Sequence, residues 1–444
     1  MPQAVMPLQA PPQGDVGSFV ELLTETRTHT LLLVAPLTEE DVRSQHDPLM
    51  SPILWDLGHI ASFERLWLLH NSNGPVEFSE MPGLYDPFEN PRATRDRLPL
   101  PTLPALLREM ADTRGDVLEH LRRDGLDWES PLLRDGYLFQ MVAQHEQQHG
   151  ETILQTLKLK RGEPYRAPRA ITPPPGAPVP ADADGMVRFG GGRVPIGTRD
   201  RTAAYDNERG EHEVELAPFR IDAAPVTNAA FQEFMREGGY RERRLWSEAG
   251  RAWLDEAGVE APKYWARDGD AWVVREFDEV HEVPADHPVC HVSFHEAEAF
   301  ARWAGKRLPT EQEWETAASW EPESGEKHLY PWGDEPPTTL DANLDQLAFS
   351  TAPVGAYPRN VSPLGCYGMI GDVWEWTASP FVGYPGFEPF PYREYSEVFF
   401  GDEYRVLRGG SWATRGGAVR NTFRNWDYPI RRQIYAGFRC AKGD

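Results

Sequence analysis

Residues 137–160 read YLFQMVAQHEQQHGETILQTLKLK, and this stretch decides the fold of the first part of the chain. Its apolar residues recur at intervals of three and four, which is typical of an amphipathic helix, and Gly162 and Pro164 end it. His145 and His149 are four residues apart and therefore point from one face of that helix. One helical turn can thus supply two ligands to a metal ion. A pair of exposed histidines without a role is the alternative that the stretch alone leaves open.

Three earlier stretches have the same helical period, and together they predict a four-helix bundle of up-and-down topology. These helices are predicted over residues 16–36, 52–70 and 102–123. The connection over residues 71–101 is long for a compact domain, and long connections are more often functional than idle.

His59 is the one histidine in the interior of the second predicted helix. The second and fourth helices of an up-and-down bundle run in the same direction, so His59 can lie at the height of His145 and His149. Taken alone, His59 is an ordinary core histidine, but in this set it becomes a third ligand. Three imidazoles without a thiolate suit zinc, iron or copper, and they leave positions open for catalysis.

The string from His145 to His149 also matches H-E-x-x-H, the pattern of zinc peptidases, in which Glu146 would be the general base. The extended form of that pattern requires a glycine where this chain has Thr152. A zinc-bound hydrolase is therefore an alternative that lacks its third ligand.

The composition excludes several classes of function. The 444 residues include 45 Lys and Arg against 69 Asp and Glu, so the formal net charge is −24. Nucleic acids and anionic membranes attract clustered basic residues, and this chain is a poor partner for either. No apolar run is long enough to span a bilayer, and the first residues lack the pattern of a secretory signal. We expect a cytoplasmic protein, and the oligomeric state is left open.

Changes in composition and in hydrophobic pattern divide the chain into four parts. We predict a disordered leader at 1–14, the helical bundle at 15–164, a proline-rich linker at 165–185 and a second domain at 186–444. Within the second domain, strands are predicted over residues 186–191, 193–197 and 212–222, and helices over residues 228–238, 295–304 and 311–319. Thr310 and Glu313 form a capping box at the start of the last of these helices.

The second domain has no evident nucleophile or phosphate-binding loop. Aromatic and polar residues cluster instead in FPYREY (390–395) and RNWDYPIRR (424–432). Asp427 and Arg431 are four residues apart. A structural salt bridge in a loop-rich fold is one interpretation, and a polar binding surface is the other.

Several motifs of the second domain resemble those of one known family. They are PVTN (225–228), GKRLPTEQEWE (305–315), YPWGD (330–334), GDVWEW (371–376), VLRGGSW (406–412) and AGFRCA (436–441). They resemble the formylglycine-generating-enzyme (sulfatase-modifying) domain, which implies a loop-rich, C-type-lectin-like fold of mixed α and β structure. The first 160 residues resemble a DinB-like four-helix bundle. The two in this order resemble the nonheme-iron sulfoxide synthases of ergothioneine biosynthesis.

This resemblance implies a role for each of several residues. The implied Fe(II) ligands are His59, His145 and His149. The implied contacts of a thiol substrate are Arg92, Arg95, Asp427 and Arg431, and those of hercynine are Gln148, Asn425 and Trp426. The tyrosine that assists the oxygen chemistry best matches Tyr392, with Tyr395 and Tyr384 as alternatives. Phe63 departs from the family pattern, since some relatives carry glutamine there.

The resemblance further implies an O2-dependent iron oxidoreductase. It would join the sulfur of a thiol to the imidazole carbon of hercynine (trimethylated histidine) and oxidise that sulfur to the sulfoxide. Paired arginines suit the carboxylates of γ-glutamylcysteine, and cysteine is the alternative thiol. A related enzyme that uses a selenosugar, and a zinc-bound hydrolase or non-catalytic binding module, remain alternatives. Formylglycine generation is not expected, because it uses a pair of C-terminal cysteines and only Cys440 lies in that region.

Overall fold

The computed structural model describes residues 16–72, 83–122 and 126–444. The predicted leader lies outside the described residues. The described chain forms a helical bundle followed by a second domain of mixed α and β structure, which confirms the predicted fold class. Within these residues no helix is both long and apolar enough to cross a membrane.

The bundle is built from four long helices and one short one. They are α1 (Val16–Val34), α2 (Glu39–Arg43), α3 (Ile53–Arg65), α4 (Leu103–Leu121) and α5 (Tyr137–Lys158). The long helices begin and end within a few residues of their predicted bounds, except that α3 continues as a π-helical turn, Leu66–His70. Almost every residue of α3 is buried, because neighbouring helices and the second domain cover it on all sides.

Helices α3 and α5, the second and fourth of the long helices, run in opposite directions. Asp56 near the start of α3 lies beside His149, whereas Phe63 near its end stacks on His145. The predicted up-and-down topology, in which these two helices run in the same direction, is therefore wrong. His59 still reaches the height of the other two histidines, because a residue near the middle of a helix keeps its height when the helix is reversed.

Helices α3 and α4 run parallel to each other. Glu64 near the end of α3 bonds Arg114, and Ser72 further along bonds His120 at the end of α4. Parallel neighbours need a connection that returns along the bundle, and the long stretch between α3 and α4 is such a connection. Its length therefore serves the topology as well as the site described below.

The second domain contains four helices and fourteen mostly short strands within the described residues. The helices are α6 (Asn228–Arg236), α7 (Glu248–Ala257), α8 (Phe294–Trp303) and α9 (Glu311–Ser319). The strands are β1 (Met186–Phe189), β2 (Gly192–Ile196), β3 (His212–Leu216), β4 (Phe219–Asp222), β5 (Trp265–Asp268), β6 (Ala271–Glu276), β7 (Glu279–Glu282), β8 (Trp320–Glu321), β9 (Glu326–Lys327), β10 (Trp374–Phe381), β11 (Gly401–Arg408), β12 (Asn425–Asp427), β13 (Ala436–Gly437) and β14 (Ala441–Gly443). The central sheet has the order β12-β11-β10-β13. A second sheet, β1-β4-β14, joins the start of the domain to its end.

The predicted helices of the second domain and its first two strands are confirmed, including the capping box of Thr310 and Glu313 at the start of α9. The third predicted strand, over residues 212–222, forms two strands instead, β3 and β4, which belong to different sheets. Helix α7 and the sheet β5-β6-β7 were not predicted. Helix α7 nevertheless carries its own boundary signals, since Ser247 caps its start and Gly258 ends it with a left-handed φ of 59°.

Buried ion pairs hold the irregular parts of the second domain in place. Arg424 binds Glu311 of α9, and Arg439 binds Glu375 of β10, in each case with nearly complete burial of both side chains. Such pairs satisfy each other's charge and several backbone carbonyls as well. They fix loops that have few regular hydrogen bonds of their own.

The stretch 165–185 forms neither helix nor strand. Tyr165 is buried against Phe277, and the backbone N–H of Ala170 donates to the carbonyl of Leu347 at 2.8 Å. The predicted linker therefore lies along the second domain, and these contacts position it there.

Candidate active site

A cavity of about 590 Å³ lies between the helical bundle and the second domain. Every residue to which the sequence analysis assigned a site role lines it, apart from two alternatives, Glu146 and Tyr384. From the bundle side these are His59, Arg92, Arg95, His145, Gln148 and His149, and from the second domain Tyr392, Tyr395, Asn425, Trp426, Asp427 and Arg431. Residues more than 300 positions apart in the chain thus face one cavity.

Three histidines converge on one wall of the cavity. The Nε2 atoms of His59 and His145 are 3.2 Å apart, and the centroids of the His145 and His149 rings are 4.6 Å apart. One ligand nitrogen from each of the three lies within 4.8 Å of the others. This is the spacing of donors that share a single metal ion.

An outer hydrogen bond fixes the orientation of the His59 ring, and a carboxylate lies close to the His149 ring. The Nδ1 atom of His59 bonds the backbone carbonyl of Tyr85 at 2.9 Å, which leaves Nε2 as the atom that faces the other histidines. The Nδ1 atom of His149 lies 3.4 Å from Oδ1 of Asp56. A carbonyl or carboxylate behind each imidazole is the usual second shell of a metal-binding histidine.

Burial keeps His59 and His145 uncharged. Burial, together with the neighbouring histidines, lowers the pKa of both His59 and His145 well below the usual range. Metal binding requires neutral imidazoles, so these residues are already in the required state at neutral pH. The donor set therefore fits a divalent transition metal such as iron, zinc or copper.

Aromatic rings shield the histidine cluster from water. Phe63 stacks on His145 with ring centroids 3.6 Å apart, and Trp55 stacks on His59 at 4.9 Å. Phe63 also meets the ring of Tyr392 edge-on at 6.2 Å. The residue that departs from the family pattern is thus an apolar wall between the histidines and the candidate catalytic tyrosine.

Glu146 does not line the cavity and points into the bundle core instead. Each of the four long helices contributes one residue to a buried charged cluster there: Arg27, Glu64, Arg114 and Glu146. Arg27 donates to Glu146 at 2.8 Å and to Glu64 at 2.6 Å, and Arg114 donates to Glu64 at 2.5 Å. A carboxylate held in this way cannot act on a substrate, so the peptidase interpretation of H-E-x-x-H is wrong. The role of Glu146 is to hold the four long helices together through this charged cluster.

The three arginines of the candidate thiol subsite line the cavity, and one of them pairs with a carboxylate. Arg95 lies flat over the Trp55 ring at 3.4 Å and donates to Ser51 at 2.6 Å. Burial lowers its pKa to about 10, so it stays charged at neutral pH. Arg431 pairs with Asp427 at 3.2 Å, and Arg92 reaches the same part of the cavity. The predicted salt bridge between Asp427 and Arg431 therefore exists, and it lies on the cavity wall.

Two tyrosines of the second domain reach the cavity beside the histidines. Tyr395 stacks on Tyr205 with centroids 4.1 Å apart, and Gln148 donates to the hydroxyls of both, at 3.3 Å and 3.1 Å. Tyr392 packs against Trp67 at 5.1 Å. Burial raises the pKa of Tyr392 and Tyr395 well above the usual range, so both phenols keep their proton at neutral pH.

The remaining predicted residues lie on β12 and nearby. Trp426 stacks one face on Phe381 at 4.0 Å and meets Tyr395 edge-on at 5.8 Å, so it is both packed and accessible from the cavity. Asn425 precedes it on the same wall. Tyr384, the third alternative for the catalytic tyrosine, lies outside the cavity lining and packs against His212.

Sequence reasoning missed four residues that shape the site. Asp56 could have been found, because it precedes His59 by three residues and therefore shares its helix face. Tyr85 acts through its backbone, which carries no side-chain signal. Tyr205 of the second domain bonds Gln148, and Glu151 bonds Trp374 across the same interface between the bundle and the second domain, which we call the seam. Contacts between distant segments such as these leave no local pattern.

Comparison with known proteins agrees with this architecture. The sulfatase-modifying factor enzyme 1-like domain matches residues 174–443, and the DinB superfamily matches residues 22–153. The hercynine oxygenase of Mycolicibacterium thermoresistibile is 46% identical over 427 residues, 94% of this chain and 93% of that protein. The hercynine oxygenase of Mycobacterium tuberculosis is also 46% identical over 427 residues, 94% of this chain and 97% of that protein.

The chain belongs to the hercynine oxygenase family. It is accordingly an enzyme of the oxidoreductase class. The formylglycine-generating enzyme of Streptomyces coelicolor is 33% identical over 320 residues, 62% of this chain. In this chain Cys366 and Cys440 are both buried, and burial raises the pKa of Cys366 to about 11. These cysteines are therefore unsuited to formylglycine generation.

Proposed function

We propose that the protein joins the sulfur of a thiol to the imidazole carbon of hercynine with O2 and Fe(II), as a sulfoxide synthase of ergothioneine biosynthesis. The reaction converts hercynine, thiol and O2 into the coupled sulfoxide and one water. The C–H and S–H bonds are lost, the C–S and S=O bonds form, and O2 takes up the four electrons. The favoured thiol is γ-glutamylcysteine.

One observation carries the proposal. Three imidazoles converge within 4.8 Å at the wall of a cavity that is also lined by tyrosines, arginines and a tryptophan, in a chain 46% identical to hercynine oxygenases. A metal at this site is thus open to a cavity large enough for two small substrates. When bound, iron would supply the redox chemistry for O2 and lower the pKa of a thiol that ligates it.

The chain's own residues would bind and orient the two substrates. The guanidinium groups of Arg92, Arg95 and Arg431 suit the carboxylates of γ-glutamylcysteine, and Asp427 suits its ammonium group. The exposed face of Trp426 suits the trimethylammonium group of hercynine through a cation–π contact. Fixing both substrates in one cavity would place sulfur beside the imidazole carbon and remove the need for a diffusional encounter.

Tyr392 would hold a proton at its hydroxyl oxygen, beside the histidine cluster. Its raised pKa keeps that proton in place at neutral pH, so the phenol can donate a proton or a hydrogen atom on demand. Phe63 would exclude water from the space between the tyrosine and the metal. Together they favour coupling over plain oxidation of the thiol.

The proposal is tested by reconstituting the purified protein with Fe(II) without oxygen and then admitting air. Hercynine is supplied with γ-glutamylcysteine, cysteine or a selenosugar in parallel reactions, and products are identified by mass. We expect the γ-glutamylcysteine sulfoxide of hercynine, with O2 uptake that needs both substrates. A selenium product alone would replace the proposed substrate, and no O2 uptake with any donor would refute the function.

A further inference from the structure

Polar side chains of α5 flank the metal-binding pair His145 and His149 on both sides. Successive residues of an α-helix are about 100° apart around its axis. Gln144 and Gln148 directly precede His145 and His149, so a strip of glutamines runs along one flank of the histidines. Glu146 lies on the other flank. The histidines therefore point from between the two glutamines and Glu146.

The first glutamine is tied to the second domain through both ends of its amide. Gln144 Nε2 donates to the carbonyl of Ala203 at 3.0 Å, and its Oε1 accepts from Nη1 of Arg420 at 3.0 Å. Arg420 is held in turn by Glu208, with its Nε donating at 2.7 Å. Gln144, Arg420 and Glu208 are all buried, so solvent does not compete for these bonds.

The second glutamine bonds the same short segment of the second domain, residues 203–208. Gln148 Nε2 donates to the hydroxyl of Tyr205 at 3.1 Å. The backbone N–H of Tyr205 donates to Glu208 at 2.9 Å. Glu208 thus connects the partner of Gln148, Tyr205, with the partner of Gln144, Arg420. The segment 203–208 therefore bonds α5 at two points one helical turn apart, through Ala203 at Gln144 and through Tyr205 at Gln148.

The opposite flank of α5 is fixed by the bundle core. Glu146 accepts from Arg27 at 2.8 Å and lies 3.7 Å from Arg114. Ties on both flanks prevent α5 from rotating about its axis. A metal site needs its donor distances correct to within about 0.2 Å, which a small rotation of the ligand helix would exceed.

We propose that the segment 203–208 of the second domain is a positioning element of the metal centre, because it bonds the two glutamines that directly precede His145 and His149. This inference rests on the proposed function, in which these histidines bind a metal. All three ligands come from the bundle, but their geometry depends on the docked second domain. Gln144 and Arg420 are therefore positioning residues and need no contact with substrate.

The test uses Co(II) as a spectroscopic probe of the metal site in the full chain. Gln144→Met keeps the size of the side chain and removes both ties. We expect it to bind Co(II) about 10-fold more weakly than the wild type and to shift the visible absorption of the bound ion. Gln144→Glu keeps the acceptor for Arg420, and we expect it to restore the wild-type spectrum.

Lys158→Met is the matched control on the same helix. Lys158 lies at the far end of α5, where it is buried and bonds Glu276 and His291 of the second domain. Its loss weakens the same interface away from the histidines. We expect a lower melting temperature with an unchanged Co(II) spectrum, and an equal spectral change in this control would overturn the proposal.

The outcomes separate the two levels of the argument. Wild-type protein that takes up no Co(II) would refute the metal site and with it the proposed function. Co(II) bound by the wild type and by Gln144→Met with equal affinity and equal spectra would overturn only the positioning role. If Gln144→Met does not fold, Tyr205→Phe removes the tie to Gln148 alone, and an unchanged spectrum there would overturn the role as well.

Discussion

The two walls of the cavity are built on opposite principles. The bundle wall presents His59, His145 and His149 from two regular helices, and the charged cluster of Arg27, Glu64, Arg114 and Glu146 locks the four long helices together beneath them. The second-domain wall presents its residues from a short strand and loops. There, Arg424 and Glu311 form a buried pair behind Asn425.

This difference assigns separate tasks to the two walls. A helix packed on all sides holds its side chains through its own backbone hydrogen bonds, which suits the narrow distance limits of a metal. A loop held by buried ion pairs can change its residues without changing the fold, which suits the recognition of particular substrates. Damage to the two helices that carry the histidines should therefore affect mainly the metal, and damage to the second-domain wall should affect mainly the substrates.

The largest effect is expected from removing a histidine of the bundle wall. His59→Ala should abolish stoichiometric Fe(II) binding and reduce turnover below about 1% of wild type, since even outer-shell changes at metal sites cost about 10- to 100-fold. Metal content and O2 uptake measure both effects. His281→Ala, an exposed position on β7, is the control and should change neither. Full activity in His59→Ala would contradict the assigned metal site.

Breaking one buried ion pair in each wall tests the comparison directly. Glu64→Gln and Arg424→Met should each destabilise the protein by about 3–5 kcal/mol, because each leaves a buried charge without its partner. At a temperature where both stay folded, Glu64→Gln should weaken Co(II) binding and leave the KM of the substrates nearly unchanged. Arg424→Met should mainly raise the KM of the substrates, with a smaller loss of Co(II) affinity, because Arg424 also donates to the backbone carbonyl of Asn207 in the segment that bonds Gln144 and Gln148. Equal effects of both variants on metal affinity and KM would mean that the walls do not divide the work.

A smaller effect is expected from the tyrosine that meets both walls. Tyr392→Phe keeps the ring packed against Trp67 and Phe63 but removes the hydroxyl that holds the proton. The ratio of coupled sulfoxide to oxidised thiol should fall about 10-fold, which corresponds to about 1.4 kcal/mol between the two outcomes. Tyr395→Phe is the matched comparison, and a larger fall in that variant would transfer the role to Tyr395. Product ratios from mass analysis decide between them.

The bundle wall was largely predictable from the sequence because its signals are local. The period of α5 places His145 and His149 on one face, and the central position of His59 in α3 brings it to the same height. The direction of the helices was not predictable from their length and number. The topology depends on the path of the long connection, and its residues carry no periodic pattern.

The second-domain wall could be predicted only through resemblance to a family. Asn425, Trp426 and Asp427 lie on a three-residue strand whose place in the sheet is set by pairing with β11. Tyr205 reaches Tyr395 across 190 positions of chain. Short strands and distant contacts have no period to read, so physical reasoning from the sequence alone left these residues as an undecided polar cluster.

The smallest effect concerns acid stability and compares the seam with the interior of the second domain. Burial lowers the pKa of His29, at the seam beside Arg415, and of His295, inside the second domain, to about 4 in each case. Between pH 6.5 and 4 these two histidines are therefore protonated in the unfolded chain but not in the folded protein. The free energy of unfolding consequently decreases as the pH falls. His295→Gln should reduce the loss between pH 7.5 and 5.5 by about 1 kcal/mol, measured by urea unfolding of the metal-free protein.

His29→Gln sharpens this last comparison. If the bundle and the second domain unfold as one cooperative unit, it should reduce the acid loss as much as His295→Gln does. If the seam opens first, His29 becomes protonated before global unfolding, and its replacement should change the pH at which the domains separate rather than the main transition. Coincident unfolding curves from tryptophan fluorescence and far-UV circular dichroism would support the single unit. The metal centre would then depend on the second domain for its stability as well as for its orientation.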